Sequence, residues 1–360
     1  MKKKLLILAT SAICVFANIG TSVAQFGSGA VTLPEESQKA MVEQTIGLTD
    51  IEIVYHRPAV KNRTIWGDLV PYNNGKPIPW RGGANENTTI SLSTDVTIEG
   101  KALPAGIYGL HFIPAADVWT VIFSKNHTSW GSFTYDEKED ALRITVKPVQ
   151  GSFKEYLTYQ FDEVKPSEVT AKLCWDKIEV PFHIAVDLEK TVIPHITQEL
   201  RNTEGFTWRG YESAAKFCLD NNMNLDQGLE WVNESISDEA RFDNLETKSQ
   251  ILRKQGNAAS ADSVFKIAMT KASALDLHSY GRRLLRDKKN SEAMDIFRFN
   301  VKNHPDDWFV YAGMARGYEA NGDLDKAIEQ MKIALAKAPD AMRPSAQTAI
   351  SGWEEKLKKQ

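Results

Sequence analysis

Near Asp187 the hydrophobic period of the chain changes from about two residues to the helical spacing, and it does not change back. One layer of structure does not take both patterns, because alternation buries one face of a strand whereas a 3.6-residue repeat buries one stripe of a helix. Upstream, Ile51, Ile53 and Tyr55 alternate with Glu52, Val54 and His56 until Arg57-Pro58 stops the run. Short runs rich in β-branched and aromatic residues follow at Thr88–Leu92, Tyr108–Ile113, Trp119–Phe123, Leu142–Val146, Tyr156–Phe161, Val169–Trp175 and Ile178–Val186. Many short strands at near-regular spacing predict an antiparallel β-sandwich over residues 41–187. Leu103-Pro104-Ala105-Gly106 predicts a tight turn within it, with Pro fixing one torsion and Gly allowing a positive one. Ile65 to Pro79 holds Pro71, Pro77 and Pro79, which cannot donate to a ladder, so this stretch predicts a long surface loop leading into Trp80.

Downstream, the chain aligns on itself at a spacing of 34. Tyr280-Gly281, Leu284, Ala293, Phe297 and Pro305 fall on Met314-Ala315, Tyr318, Ala327, Met331 and Pro339. This resembles the tetratricopeptide repeat, in which small residues let paired helices pack closely and a proline ends each unit. A less regular copy runs through Leu245, Leu252, Ala261, Phe265 and Ala268, and a weaker one through Leu219, Gly228 and Val232. Together they predict an all-α, tetratricopeptide-like array over residues 201–344. Residues 188–200, with Pro194, are expected to link the two domains, and residues 345–360 to form the capping helix such arrays need.

The chain starts Met1-Lys2-Lys3-Lys4, runs apolar to about Ile19 and reaches Ser22-Val23-Ala24 before Gln25, the pattern of a secretory signal peptide. Cleavage after Ala24 is expected to leave 336 of the 360 residues in a periplasmic or secreted protein, with 25–40 as a flexible lead-in. It also removes three lysines and takes the formal charge from −4 to −7. An acidic chain without concentrated Lys and Arg is not a nucleic-acid binder, and no later run is apolar enough to span a membrane. Cys174 and Cys218 fall in different predicted domains, so two unlinked, buried thiols are expected.

The β-half resembles an exported bacterial family known only as domain-of-unknown-function 2911. The residues that carry the resemblance are Gln44-Thr45-Ile46-Gly47, Tyr55-His56-Arg57-Pro58, Leu69-Val70-Pro71-Tyr72, Trp80 through Glu86, Leu103 through Tyr108 and Trp119 through Phe123. It departs from that pattern at His56, where the family usually has a small residue, and in a longer join between Tyr72 and Trp80. The resemblance implies an all-β domain and export, and no assigned activity.

Trp80-Arg81-Gly82-Gly83-Ala84-Asn85-Glu86 places a large aromatic, a cation, two glycines, an amide and a carboxylate directly before a strand. Such density on a β-scaffold is that of a recognition loop. Trp80, Arg81, Asn85, Glu86, His56 and His111 are therefore the candidate ligand-binding residues, and an Arg81–Glu86 salt bridge that only pins the loop is the competing reading. Trp119 and Trp175 are expected in the core, with Trp80 and Trp130 reaching solvent, where an indole stacks on a sugar or peptide. His56, His111, Asp117 and Glu52 include metal-ligand types, but no pair has the spacing of a metal motif. His127 and His183 stand isolated. No catalytic set is complete: Gly151-Ser152 lacks the second glycine of a nucleophile elbow, and Cys174 sits in an apolar strand. The chain therefore reads as an exported, non-catalytic binding or scaffold protein without metal or cofactor. Its repeats would dock a protein or peptide, and its β-domain a carbohydrate or other small ligand. The alternative is a carbohydrate-active or peptide-active hydrolase with its site at the same loop, which requires Arg81, Asn85, Glu86 and His56 to converge.

Overall fold

Alternation along residues 39–56 sets up the first sheet. β1 (Lys39–Ile46) and β2 (Thr49–His56) form a hairpin whose turn uses Gly47 at positive φ. On β2, Thr49, Ile51, Ile53 and Tyr55 point inward and are buried. β3 (Thr89–Leu92) pairs with β2, and β4 (Val96–Ile98) and β5 (Lys101–Leu103) follow in a second sheet. The chain then returns to the first sheet as β6 (Gly106–Ile113), β7 (Trp119–Ser124) and β8 (Asp140–Val146). β9 (Val149–Asp162) and β10 (Glu168–Ala185) complete the second. The orders are β1-β2-β3-β6-β7-β8 and β5-β4-β10-β9, and each named pairing is antiparallel. The structure, a computed structural model, describes residues 33–72 and 79–359. The expected leader at 1–24 and residues 73–78 of the proline-rich loop lie outside the described residues.

Between the sheets, Ile53, Leu110, Phe112 and Phe123 from one layer meet Leu157, Tyr159, Leu173, Trp175 and Phe182 from the other. Each such side chain contributes about 1.5–3 kcal/mol of apolar transfer. Trp119 and Trp175 are fully buried, as expected. The sequence suggests two strands, Val169–Trp175 and Ile178–Val186, where the protein has the single long β10. A register shift at Asp176, in the left-handed region, bends that strand without ending it.

After Asp187, which caps it, α1 (Leu188–Glu199) continues directly from β10, and Leu188 packs against the β core. The segment read as a link is thus a helix with Pro194 inside it. Helical hairpins follow: α2 (Trp208–Asn221) with α3 (Leu225–Asp238), α4 (Phe242–Lys254) with α5 (Ala258–Lys271), α6 (Ala274–Arg286) with α7 (Asn290–Asn303), and α8 (Trp308–Ala320) with α9 (Leu324–Lys337). α6 and α8 begin 34 residues apart, and so do α7 and α9. Small residues explain the close packing, since a Cβ added at Gly313 would lie 2.9 Å from the Phe297 ring. Buried amides tie the helices together: Asn300 donates to the Ala274 carbonyl at 2.8 Å within the α6–α7 hairpin, and Asn244 donates to Ser235 at 2.9 Å between successive hairpins. α10 (Arg343–Leu357) closes the array, with the Trp353 indole N–H donating to Glu319 at 2.6 Å.

Cys174 and Cys218 are free and buried, and burial pushes each thiol up to about 11. Among the described residues no helix is long and apolar enough to cross a membrane.

Candidate functional site

The Trp80–Glu86 loop is built into the sandwich at its start. Trp80 exchanges two 2.7 Å backbone hydrogen bonds with Phe112, extending the sheet by one residue. Its indole stacks on Trp175 at 5.9 Å with 19° between planes and meets Trp66 edge-on, while its N–H donates to the Gly83 carbonyl at 3.2 Å. Expected to reach solvent, the ring is half-buried on the core, because its neighbours Trp66 and Trp175 offer it an aromatic wall. One face of the ring is thereby taken up by Trp175. Trp130 does reach solvent, 58 % exposed. Gly82 follows at φ +61°, and a Cβ there would overlap the Phe112 ring and the Tyr159 hydroxyl. Tyr159, buried and therefore held protonated by burial, donates to the Gly82 carbonyl at 2.9 Å.

Arg81 bonds to a backbone carbonyl of its own loop and not to the Glu86 carboxylate. Its guanidinium donates to the Asn85 carbonyl, lies 5.6 Å from the Phe133 ring centre and packs against Gly131. Burial pushes its pKa below the ordinary arginine range, partly offset by the Glu86 charge. The loop-pinning reading is therefore met by different atoms: Arg81 braces the loop through a backbone carbonyl, and among the described residues it makes no salt bridge with Glu86. Asn85 occupies the left-handed region at φ +57°, which a short amide tolerates.

Beyond Asn85 the loop emerges on the outer face of the six-stranded sheet. Alternation along β2 sends His56 to that face with Val54, where water would be the default neighbour. His56 is nonetheless only 6 % exposed, because Glu86 covers it from one side and Glu35 from the other. Its Nε2 stands 3.2 Å from Glu86 Oε2 and 3.3 Å from Glu35 Oε2. Asn85 donates to Glu35 Oε2 at 2.9 Å and to the Ser37 carbonyl at 3.2 Å, and Lys61 pairs with Glu36 at 3.2 Å. Glu35 to Ser37, part of the stretch expected to be a flexible lead-in, are thus tied to the domain and complete the site. Glu35, His56 and Glu86 are the residues here that could share an ion, with ligand atoms all within 4.8 Å of one another. They open onto a cleft of about 560 Å³ that Lys39, Val54, Asn87, Thr89, His127 and Ser129 also line.

His111 does not join them. β3 lies between its strand and that of His56. The ring is buried under the loop that follows β7, sharing a 2.9 Å hydrogen bond with Ser132 and an edge contact with Tyr135. Burial, with Arg81 adding to it and Asp140 opposing, lowers its pKa to about 4, so it is neutral. Asp140 nearby accepts from Tyr135 at 2.8 Å and from Arg143, and Glu137 pairs with Arg143 at 3.1 Å. Asp117 is exposed in the turn before β7, and Glu52 faces Glu43 across β1 and β2. Of the six candidates, His56 and Glu86 line the cleft, Asn85 positions Glu35, Trp80 and Arg81 brace, and His111 stands apart. Glu35 and His127 were not in the sequence-derived set. They lie 21 residues before and 71 after His56, and only the strand pairing brings them near.

Residues 37–184 match the family described as a protein of unknown function, DUF2911. Among solved structures, those similar to the helical region include PilF of Pseudomonas aeruginosa, at 15% identity over 44% of this chain and 72% of that one, TM-score 0.30. YrrB, described as a TPR protein with an unusual peptide-binding site, is 15% identical over 44% and 82%, TM-score 0.27. MamA from Desulfovibrio magneticus is 18% identical over 44% and 98%, TM-score 0.25. No curated protein matches the chain.

Proposed function

We propose that this is an exported, non-catalytic binding or scaffold protein in which the helical array docks an extended segment of a partner protein and the β-domain takes a ligand in the His56–Glu86 cleft. Export is supported by the basic, apolar and small-residue succession at residues 2–24. The observation that carries the docking role is a groove of about 320 Å³ between α6, α8 and α10. It is lined by His278, Arg282, Trp308, Phe309, Arg316 and Met342. Arg316 is already engaged, donating to Glu319 at 2.8 Å and lying over Trp353. Arg282 is exposed and joins no salt bridge among the described residues. A cation beside aromatic and thioether surface suits a peptide with alternating acidic and apolar side chains.

The binding reading is favoured over a hydrolase at the same loop because Arg81 bonds to the Asn85 carbonyl and is not among the residues that line the cleft with His56 and Glu86. Fluorescence anisotropy with labelled acidic-apolar peptides tests the docking role on the full chain. Arg282→Glu with Phe309→Ala should weaken binding at least tenfold, with Glu86→Gln leaving it unchanged. Peptide binding that ignores the groove variants, or that none of the peptides show, would refute it.

A further inference from the structure

Two carboxylates approach the same imidazole nitrogen in the β-domain cleft, and that crowding needs an explanation. Nε2 of His56 carries one proton at most, so it satisfies one of Glu35 and Glu86 fully, while the other presents lone pairs to it at 3.2–3.3 Å. Nδ1 of the same ring is buried with no partner among the described residues. Two carboxylates thus share one imidazole nitrogen at the wall of the cleft.

A cation held between the three atoms gives both carboxylates and the Nε2 lone pair a common partner and offsets the carboxylate charge, with the ring proton then carried on Nδ1. Ligand atoms at about 2.0–2.1 Å around a tetrahedral ion stand about 3.3 Å apart, which is the spacing that the His56 nitrogen keeps to both carboxylates. One imidazole and two carboxylates are a ligand set for borderline divalent ions, not for thiolate-seeking ones. Three protein ligands leave a further coordination position, and the cleft they open onto is also lined by His127, Asn87 and Ser129. That is the pattern of an ion that holds a further ligand, unlike a closed structural site.

We propose that Glu35, His56 and Glu86 bind a divalent transition-metal cation of the Zn2+ class, which recruits an anionic or oxygen-rich ligand to the cleft. The proposal rests on the reading of this cleft as a binding site and is independent of the groove in the array.

The test is calorimetric titration of Zn2+ into the tag-free, chelator-treated full chain, with metal content measured by mass spectrometry after dialysis. One equivalent should bind at micromolar concentration or tighter. Glu35→Gln and Glu86→Gln, both at partly exposed side chains, should each weaken binding at least tenfold without moving the thermal midpoint, and the double variant should abolish it. Absence of saturable Zn2+ binding, or one equivalent that survives the double variant, overturns the proposal. If Zn2+ fails while the peptide still docks at the groove, the cation site falls and the scaffold reading stands. If peptide binding also fails, both fall.

Discussion

The β-domain and the helical array solve different problems, and the contrast lies in how far apart in sequence their contacts are. In the array each hairpin packs on its neighbour, so Ala293 and Phe297 recur one period on as Ala327 and Met331 and bury equivalent seams in successive hairpins. In the β-domain, Glu35, His56, Glu86 and His127 come together from four separate segments because β1, β2 and β3 lie side by side. A repeated local pattern builds a surface by addition, whereas a sandwich builds a site by register. It follows that damage should spread differently in the two halves.

The largest expected difference comes from Trp175→Ala. That ring lies among Trp66 and Trp80 in the aromatic wall, and its removal should cost about 3–5 kcal/mol. The melting transition followed by tryptophan fluorescence should fall by on the order of 10 °C, while helical circular dichroism from the array holds its own midpoint. A joint fall of both would break the comparison by showing one cooperative unit.

Acidification should also separate the halves. His111, with its pKa lowered from 6.5 to about 4 by burial, is neutral in the folded domain, while the unfolded chain takes up that proton below about 6.5. The stability it supports is complete above pH 6.5 and is lost as pH falls from about 6.5 to about 4, by at most about 3 kcal/mol. His111→Gln should flatten this part of the β-domain's melting profile relative to the parent. An unchanged slope would mean that the ring titrates normally.

A smaller, local effect is expected from Gly317→Leu in α8. A side chain there meets the Met294 thioether and the Phe297 ring, an overpacking that costs about 1–3 kcal/mol. Hydrogen exchange should speed up in α6–α9 and stay at parental rates in α2 and α3. Uniform acceleration across the helices would show the array to be more cooperative than a chain of neighbours.

Much of the architecture was legible because periodicity is a local property: the change near Asp187, the 34-residue spacing and the buried Trp119 and Trp175 all follow from it. The single long β10 was not, since Asp176 interrupts the pattern without interrupting the strand. The site was half legible. His56 and Glu86 carry the right chemistry, but the role of Arg81 depends on which way a seven-residue loop turns, and Glu35 depends on where a polar segment docks. Neither leaves a periodic trace. Trp80 was misplaced for a related reason, as a glycine-flanked indole in a loop stretch gives no hint that Trp66 and Trp175 wait beneath it.

The central claim is that one short loop divides its labour, bracing the fold with Arg81 and serving the cleft with Glu86. Thermal midpoints of Arg81→Ala and Glu86→Gln, measured side by side, test this most directly. Arg81→Ala strips the Asn85 carbonyl of its half-buried donor and removes the contact with the Phe133 ring, costing about 2 kcal/mol and lowering the β-domain midpoint by roughly 4–8 °C. Glu86→Gln, at a partly exposed carboxylate, should move it by less than about 1 °C. Equal shifts, or the larger shift from Glu86→Gln, would contradict the account.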